Sequence, residues 1–467
     1  MKKSTLKFYQ RFHIETKKTS PLIPHPHRFN VKVNRLALAK LLFKEIIHYK
    51  GNLAVVKSRP CVYGVFSGPI GGFAPKESLC VGCLRCTTEH PDVVSIFHNP
   101  LRKELGDSYF KSEDVDTVTY ESESGHIPIK GAGYRGKFDG PGWDEMWTDM
   151  SEIVRPTRDG IHGREYISTA IDLGEKPPFI NFSLKDADFF QQSKTLSLPN
   201  PLLFDTLPDC LLSNQMACSI FIKAAKELET LAIFPLKTLI DLSLRANHLI
   251  PLLSYSEMGL LANLGYEPAC IEMEGWDLSF YQALKKDNPN ALLILRAAFE
   301  IKDLLEAFQA GVRIFHLTAN YHGRGQDDKF IKDIIRETHL AFVKAGVREE
   351  ITLIGSGGII LAEHVPKAIL CGLDGVALDT SLLVALQARF KGNSLDRRTC
   401  HFQLPNDLFL EWGSQRLKNL IASWRDQLLE ILGAMGLKEV RRLRGEIGRA
   451  LFSKDLEKEA FTGIKGL

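Results

Sequence analysis

From residue 200 onward, short apolar runs alternate with longer segments in which apolar residues recur at helical spacing. The runs predict eight strands, at 202–205, 231–234, 249–253, 269–274, 292–296, 313–318, 351–355 and 375–379. The longer segments predict eight helices, near 214–228, 236–247, 256–264, 278–286, 302–310, 328–345, 363–371 and 381–391. Strict alternation is typical of parallel strands joined by crossover helices. The pattern predicts an α/β fold, a closed (β/α)8 barrel of the TIM type, with an open doubly wound sheet as the alternative.

The chain on either side of the predicted barrel carries other patterns. Residues 34–49 place apolar side chains at helical spacing, with Lys40 and Lys44 between them, which predicts a basic amphipathic helix. Its apolar face would pack on the protein's own acidic body or on a membrane or partner surface. Beyond residue 400, the patterns at 406–433 and 437–452 predict two helices that pack beside the barrel.

These patterns divide the chain into five regions. They are a basic arm with its amphipathic helix (1–58), a cysteine region (59–124), a Gly-rich pre-barrel segment (125–200), the barrel (201–400) and the C-terminal helices (401–467). In the Gly-rich segment, the glycines at 131, 133 and 136 match the spacing of a dinucleotide-binding turn. The residues that follow them cannot open a helix, so we reject that interpretation.

Charge is distributed unevenly along the chain. Residues 1–60 hold 14 Lys and Arg residues but two acidic residues, a net charge of +12. The other 407 residues hold 45 basic and 54 acidic residues, a net charge of −9. A basic arm beside a cysteine region is better suited to docking an acidic electron donor such as a ferredoxin than to binding nucleic acid. The basic run Arg441, Arg442 and Arg444 is interpreted as a solvated face rather than a nucleic-acid patch, and no nucleic-acid partner is expected.

Two absences bear on the compartment in which the protein works. No run of 18 apolar residues predicts a transmembrane segment, and the N-terminus lacks the apolar core of a secretory signal. We therefore expect a cytoplasmic protein whose thiols are reduced. In that setting, closely spaced cysteines favour metal binding over disulfides.

Cys80, Cys83 and Cys86 place three thiols in one tight loop. Bacterial ferredoxins use the related spacing C-x2-C-x2-C-x3-C-P for iron–sulfur ligation. In this chain His90, followed by a proline, takes the place of the fourth cysteine, and Cys61 is a second candidate for a fourth ligand. The loop predicts an iron–sulfur cluster, either [4Fe–4S] or [3Fe–4S]. A Cys3His zinc site and three unmetallated thiols are the alternatives.

The carboxyl ends of the predicted strands are the candidate active site, because catalysis in barrel enzymes takes place there. Gly355, Ser356, Gly357 and Gly358 follow strand seven, and closely spaced backbone N–H groups favour a phosphate, although a tight turn also needs glycines. Other polar residues near strand ends are Asp205, Glu274, Arg296, Thr318, His322, Arg324 and Asp379.

Among these, His322 and Arg324 lie together in the loop after strand six, a combination that could shuttle protons and bind an anion. The segment 155–164 is similarly rich in Arg and His, but surface ion pairing explains it as well. His316, within strand six, is interpreted as a core histidine.

Three segments carry a resemblance to a known family. GHIPIKGAGYRGKFDGPGWDEMWTDMSEIVRPTRDGIHGREYISTAIDLG (125–174), ETHLAFVKAGVREEITLIGSGGI (337–359) and RLKNLIASWRDQLLEILGAMGLKEVRRLRG (416–445) resemble the FMN-binding glutamate synthase family. The resemblance implies a (β/α)8 flavin barrel, FMN, an iron–sulfur cluster and reductive formation of glutamate from 2-oxoglutarate. It implies phosphate binding at Gly357 and Gly358, with Thr380 beside them.

The chain departs from that family at identifiable positions. Glu272 and Glu274 stand where the family has a lysine near the flavin, and Asp379 precedes Thr380 where the family has glycine. The family's cluster cysteines follow the barrel, whereas this chain has one cysteine there, Cys400. Room for a glutamine amidotransferase domain is also lacking, so we expect glutamine hydrolysis to need a separate subunit.

These observations predict an iron–sulfur flavoprotein oxidoreductase that reductively aminates a 2-oxo acid. FMN would lie at the barrel mouth, with His322, Arg324 and Arg296 as catalytic residues that handle the proton and the substrate carboxylate. One alternative is another FMN-barrel reaction, such as 2-hydroxy acid oxidation or a flavin-dependent isomerisation. The other is a barrel without flavin that serves as the cluster-bearing subunit of a larger complex.

Overall fold

The computed structural model describes residues 12–57, 61–68, 70–128, 140–148, 166–174, 194–297 and 300–462. The Gly-rich run 131–136 and the segment 155–164 lie outside the described residues. The chain divides into two compact units. Residues 23–107 form one of them, here called the cysteine unit, and the other described residues form the barrel unit.

The cysteine unit is a small α+β structure. Its elements are β1 (Phe29–Val33), α1 (Arg35–His48), α2 (Leu53–Lys57), α3 (Arg85–Glu89) and β2 (Val94–His98). Strands β1 and β2 pair antiparallel, and the side chain of Asn34 caps α1 by accepting from the backbone N–H of Ala37. The predicted helix at 34–49 is thus confirmed. Helix α1 has no buried residue, since its apolar side chains contribute to the small core only as partly buried groups.

The barrel unit begins with elements that precede the barrel. These are α4 (Ser112–Ser124), β3 (Met146–Thr148), β4 (Ile171–Gly174) and β5 (Thr195–Leu198). Helix α4 ends at Gly125, which adopts the left-handed conformation that glycine tolerates best. Strands β4 and β5 pair antiparallel outside the barrel.

Eight parallel strands close into a barrel in sequence order. They are β6 (Leu202–Phe204), β7 (Ala232–Pro235), β8 (Leu249–Leu253), β9 (Cys270–Glu274), β10 (Leu292–Ala297), β11 (Ile314–Thr318), β12 (Thr352–Ser356) and β13 (Gly375–Leu378). All eight coincide with predicted strands within a residue or two, so the closed barrel is confirmed and the open sheet is excluded. Strands such as β8, buried at all five positions, have the apolar character that parallel strands need because both faces are covered.

The helices between the strands are α5 (Gln215–Glu227), α6 (Leu236–Asp241), α7 (Leu278–Asp287), α8 (Ile301–Ala310), α9 (Ile331–Lys344), α10 (His364–Cys371) and α11 (Thr380–Ala385). A 3₁₀ helix at Tyr255–Leu264 takes the place of the helix predicted at 256–264. Helices α6 and α11 are shorter than predicted. The chain after α11 instead forms β14 (Arg389–Phe390), which pairs with β15 (Phe402–Gln403).

The C-terminal region confirms one predicted helix and corrects the other. Helix α12 (Leu410–Ala434) buries the apolar stripe that includes Trp412, Leu417 and Trp424, and it packs on α4 and α5. Residues 437–452 do not form a helix. They contain two 3₁₀ turns and β16 (Ala450–Phe452), which pairs with β3, before α13 (Ser453–Phe461).

The physical reason lies in the glycines of this segment and in the basic run within it. Gly436 and Gly445 adopt positive φ angles of 69° and 71°, which interrupt a helix. Arg444 is not solvated as predicted, because it forms ion pairs with Asp374 at 2.7 Å and with Glu349 at 2.5 Å. These pairs tie the segment to the barrel. Within the described ranges, no helix is both long enough and apolar enough to cross a membrane.

Candidate active site and cysteine site

A buried ion pair lies at the carboxyl ends of β6 and β10. The guanidinium of Arg296 donates two hydrogen bonds to the carboxylate of Asp205, each 2.9 Å long, and lies 3.5 Å from Glu272. Burial opposes ionisation of both groups, but their mutual attraction outweighs it. Arg296 and His316 hold the pKa of Asp205 well below its usual range, and Asp205 with Glu272 holds the pKa of Arg296 above its usual range. The predicted catalytic residue Arg296 is thus engaged by two carboxylates.

The ion pair continues into a chain of hydrogen bonds across the barrel interior. Glu272 on β9 lies 2.5 Å from Nδ1 of His316 on β11, and Nε2 of His316 lies 3.0 Å from the hydroxyl of Ser356 at the end of β12. Glu272 and His316 are both fully buried, so the prediction that His316 is a hydrogen-bonded core residue is confirmed. The second carboxylate oxygen of Glu272 has no hydrogen-bond partner among the described residues. The chain connects the deep interior to the glycine turn.

The glycine turn after β12 is packed against the loop after β11. Gly357 and Gly358 have φ angles of +93° and +70°, which L side chains rarely adopt. A Cβ at Gly357 would lie 2.4 Å from the carbonyl oxygen of Ala319, and one at Gly358 would lie 2.4 Å from Cα of Gly323. A Cβ at Gly355 would instead meet the side chain of Leu373. Close backbone packing therefore requires these glycines independently of any ligand.

Asp379, at the end of β13, supplies the test of whether the strand ends suit a phosphate. Its carboxylate accepts hydrogen bonds from the backbone N–H of Thr380, from the Thr380 hydroxyl at 2.9 Å and from the backbone N–H of Gly357. Two of the predicted phosphate-binding residues, Gly357 and Thr380, thus donate to one carboxylate. That carboxylate belongs to the chain itself, so these donors fit a phosphate once the Asp379 side chain moves away.

The charge state of Asp379 decides how strongly it competes with a phosphate. Burial, with the nearby carboxylate of Asp205, raises the pKa of Asp379 to about 7. The carboxyl is therefore about half neutral near neutral pH, and it repels an incoming anion less as the pH falls.

The loop after β11 is organised by Asn320. Its side-chain oxygen accepts from the backbone N–H groups of His322 at 3.0 Å and Arg324 at 2.8 Å. His322 stacks on the ring of Tyr109, with centroids 5.4 Å apart, whereas Arg324 donates to the carbonyl oxygen of Asp328 within its own loop. The structure therefore brings His322 close to the glycine turn and leaves Arg324 turned toward its own loop.

Two residues outside the barrel strands also contact the glycine turn, and the sequence analysis did not identify them. The hydroxyl of Tyr109 and the indole N–H of Trp143 both donate to the carbonyl oxygen of Gly358, at 2.6 and 2.9 Å. Both are aromatic residues in segments far from the barrel in sequence. Neither carries a spacing signal that would have revealed the contact, since the contact depends on tertiary packing.

In the cysteine unit, four cysteines line one pocket. They are Cys61, Cys80, Cys83 and Cys86, and the rest of the lining is apolar or aromatic, with Val31, Tyr63, Val65, Phe66, Val81 and Ile96. Burial raises the pKa of the Cys80 and Cys86 thiols, and the neighbouring cysteines add to the rise. The three predicted ligands are therefore brought together.

The backbone of the loop between these cysteines is shaped toward the sulfurs. Gly82 and Leu84 adopt left-handed conformations, with φ of +69° and +59°. The backbone N–H of Gly82 donates to the sulfur of Cys80, and that of Thr87 donates to the sulfur of Cys86. Concave backbone turns of this kind bind anionic groups, iron–sulfur clusters among them. A Cβ at Gly82 would lie 2.3 Å from the ring of Phe29, so the turn depends on glycine.

Comparisons with known proteins find sequence similarity to curated archaeal-type glutamate synthases. The "Archaeal-type glutamate synthase [NADPH]" of Dehalococcoides mccartyi is 22% identical over 432 residues, 78% of this chain and 85% of that protein. This chain resembles the archaeal-type glutamate synthases. The "Archaeal glutamate synthase [NADPH]" of Methanocaldococcus jannaschii is 37% identical over 122 residues, and that of Archaeoglobus fulgidus is 32% identical over 180 residues.

Those two matches are shorter than the first, since they span 24% and 34% of the relatives' own lengths. No protein-family model matches the chain. Among solved structures, the flavin-binding domain of baker's yeast flavocytochrome b2 aligns with a TM-score of 0.45 at 11% identity, covering 66% of this chain and 76% of that one. A mandelate oxidase variant aligns with a TM-score of 0.38 at 12% identity, covering 64% and 97%. The resemblance to glutamate synthases therefore rests on sequence, and the barrel on the strands described above.

Proposed function

We propose that the protein is an iron–sulfur flavoprotein oxidoreductase of the glutamate synthase type, which reductively aminates a 2-oxo acid such as 2-oxoglutarate. The observation that carries this proposal is the alignment over 78% of the chain with an archaeal-type glutamate synthase. The closed barrel, with polar side chains collected at the carboxyl ends of its strands, is consistent with it. The reaction consumes the 2-oxo acid, ammonium, two electrons and two protons, and it releases the amino acid and water.

FMN is the cofactor proposed for the barrel. The backbone N–H groups of Gly357 and Thr380 and the hydroxyl of Thr380 would hold its phosphate, since they already donate to one carboxylate, that of Asp379. Gly355, Ser356 and Gly358 would complete that wall. When bound, FMN supplies the hydride chemistry that side chains cannot provide.

The residues of the chain would bind and orient the substrate. Arg324 is 41% exposed, and its guanidinium would bind a substrate carboxylate by exchanging its 3.9 Å ion pair with Asp328 and its 2.8 Å hydrogen bond to the Asp328 carbonyl oxygen for bonds to the substrate. His322, held by its stacking on Tyr109, would exchange the proton of the amino group formed. Arg296 is held by its ion pair with Asp205. Its positive charge would attract the substrate carboxylate without movement of the side chain.

The cysteine unit would carry the iron–sulfur cluster, with Cys80, Cys83 and Cys86 as ligands. The cluster would pass single electrons toward the barrel cofactor, and the basic arm would dock an acidic donor such as a ferredoxin. The nitrogen would come from free ammonium or from a separate amidotransferase subunit that hydrolyses glutamine.

The test is anaerobic purification followed by an absorption spectrum and an assay. We expect flavin bands over a broad iron–sulfur shoulder, and formation of glutamate from 2-oxoglutarate and ammonium when reduced ferredoxin is supplied. Arg324→Ala should raise the KM for the 2-oxo acid more than it lowers kcat. A protein with both cofactors that oxidises a 2-hydroxy acid without any amino donor would contradict the proposed reaction.

A second function is favoured by the carboxylate in the predicted phosphate position. If Asp379 keeps FMN out, the barrel would serve as the scaffold of a cluster-bearing subunit in a larger electron-transfer complex. A spectrum with an iron–sulfur shoulder that bleaches on reduction, but without flavin bands even after incubation with FMN, would support this function over the first.

A further inference from the structure

The four-cysteine pocket carries more information than the spacing of three cysteines. Cys61 lies 19 positions before Cys80 in the chain, yet it lines the same pocket as Cys80, Cys83 and Cys86. Cys61 and Cys86 are also both partly buried against the unit's core cluster, to which Cys80 belongs. The folding of the cysteine unit thus brings a fourth thiol to the predicted ligand set.

We propose that Cys61, and not His90, is the fourth ligand, so that the cysteine unit holds a [4Fe–4S] cluster bound by Cys61, Cys80, Cys83 and Cys86. This inference rests on the proposed function in one respect, the presence of a cluster at the three closely spaced cysteines. It adds the identity of the fourth ligand and thereby the type of cluster.

The position of His90 does not suit a cluster ligand. Its side chain is exposed to solvent and does not line the pocket. Its backbone ends α3, since its N–H donates to Cys86 and its carbonyl accepts from Val93 and Val94. These bonds fix His90 at the end of the helix, whereas Cys61 lies in the wall of the pocket.

The pocket suits a cluster better than a single ion. Zinc requires four ligand atoms about 2.0–2.3 Å from one point, so that they lie close to one another. The four cysteines of this unit line the wall of one pocket. A [4Fe–4S] cluster instead takes one thiolate at each iron, so its four cysteines surround a cavity.

The surroundings agree with an electron-transfer cluster. Apart from the cysteines, the pocket is lined by apolar and aromatic side chains, and the N–H groups of Gly82 and Thr87 donate to sulfurs of Cys80 and Cys86. Both burial and hydrogen bonds to sulfur tune cluster potentials. Cys80 is buried while Cys83 is exposed, so the Cys83 side of the cluster would face solvent and an incoming donor.

The experiment compares the full-length wild type with Cys61→Ser and His90→Ala after anaerobic purification. Iron and acid-labile sulfide are measured per chain, and EPR spectra are recorded in oxidised and reduced states. We expect about four irons and four sulfides in the wild type and in His90→Ala. Cys61→Ser should retain about three irons and show the oxidised-state EPR signal of a three-iron cluster, or lose the cluster on brief exposure to air.

A second measurement keeps the inference testable if Cys61→Ser does not fold. Wild-type protein is alkylated under native conditions before and after cluster removal with a chelator and oxidant, and the modified cysteines are identified by mass spectrometry. Cys61 should be protected together with Cys80, Cys83 and Cys86 while the cluster is present, and all four should react after its removal. Cys210, which is exposed in the barrel unit, should react in both states.

The outcomes distinguish the identity of the fourth ligand from the presence of a cluster. A four-iron cluster in Cys61→Ser, with loss in His90→Ala, would overturn the assignment of Cys61 and leave the cluster itself in place. Free reactivity of Cys61 in the iron-loaded wild type would do the same. A wild type that binds no iron even after reconstitution would overturn the cluster in the proposed function, and the fourth ligand with it.

Discussion

The two units of the chain differ in what their interiors contain. In the barrel unit, Asp205 is paired with Arg296, and Glu272 with His316, so that charges in the interior are matched by the chain itself. In the cysteine unit, the buried core cluster consists of five residues, one of them Cys80. A bound metal adds stability to a unit that buries few apolar groups. We therefore expect the barrel to fold without its proposed cofactor, and the cysteine unit to depend on the proposed cluster.

The largest expected effect comes from removing that cluster. Structural metal sites contribute on the order of 10 kcal/mol to the folding of small units. Cys80→Ser, or treatment with a chelator, should therefore make residues 23–107 sensitive to limited proteolysis while the thermal unfolding of the barrel stays unchanged. Cys210→Ser is the matched control and should leave both unchanged. A protease-resistant cysteine unit in iron-free protein would show that its small core suffices.

Removing the buried cation of the barrel interior should lower the free energy of unfolding of the barrel. Arg296→Ala leaves the buried carboxylates of Asp205 and Glu272 without their cation, and such a change costs about 3–5 kcal/mol. Urea unfolding followed by tryptophan fluorescence measures the loss. Lys329→Ala, which removes a half-exposed pair with Glu337, should cost about 1 kcal/mol or less. Equal costs for the two variants would contradict the view that the interior charges are matched by the chain.

The sequence predicted different parts of the barrel unit with unequal success, for a physical reason. The eight strands and most helices follow from local apolar periodicity, which is why all eight strands were found within a residue or two. The 437–452 segment was predicted as a helix because its apolar spacing was read without the interrupting Gly445 and the pairing of β16 with β3. Local periodicity does not report such long-range pairing.

The candidate sites show the same division. The spacing of Cys80, Cys83 and Cys86 predicted a shared pocket, but a spacing rule could not choose between Cys61 and His90, since the choice depends on folding. In the barrel, the strand-end position of Arg296 was predicted, while its bonds to Asp205 and Glu272 were not. Residues that meet only through tertiary packing, such as Tyr109 at Gly358, left no local signal.

The Asp379 carboxylate tests whether a charged group of the barrel itself competes with the phosphate of FMN. Below about pH 7 its carboxyl is neutral, and above that it is charged and repels a phosphate, so the Kd of the apoprotein for FMN should rise with pH. Asp379→Gly should lower the Kd about tenfold at pH 8, which corresponds to about 1.4 kcal/mol, and Asp379→Asn should lower it less, because the amide keeps the volume. Quenching of FMN fluorescence measures binding without any assay of activity.

The phosphate of FMN titrates in the same range, so the informative quantity is the difference between wild type and variant at each pH. That difference should be large at pH 8 and small at pH 6. A constant difference would mean that Asp379 obstructs FMN by its volume alone. An unchanged Kd in Asp379→Gly would show that the phosphate binds elsewhere.

The smallest expected effect concerns the hydrogen bonds to the carbonyl oxygen of Gly358 in the glycine turn. Tyr109→Phe removes the hydrogen bond to the carbonyl oxygen of Gly358, but the indole of Trp143 still donates to that oxygen, so no buried acceptor is left without a partner. The cost should be about 1 kcal/mol or less, and the ring that stacks on His322 is retained. Calorimetric unfolding measures the change, with Tyr120→Phe, half-exposed on α4, as the control. A loss of several kcal/mol would mean that the turn depends on Tyr109 alone. The hydrogen bond from Trp143 would then not compensate for the lost one.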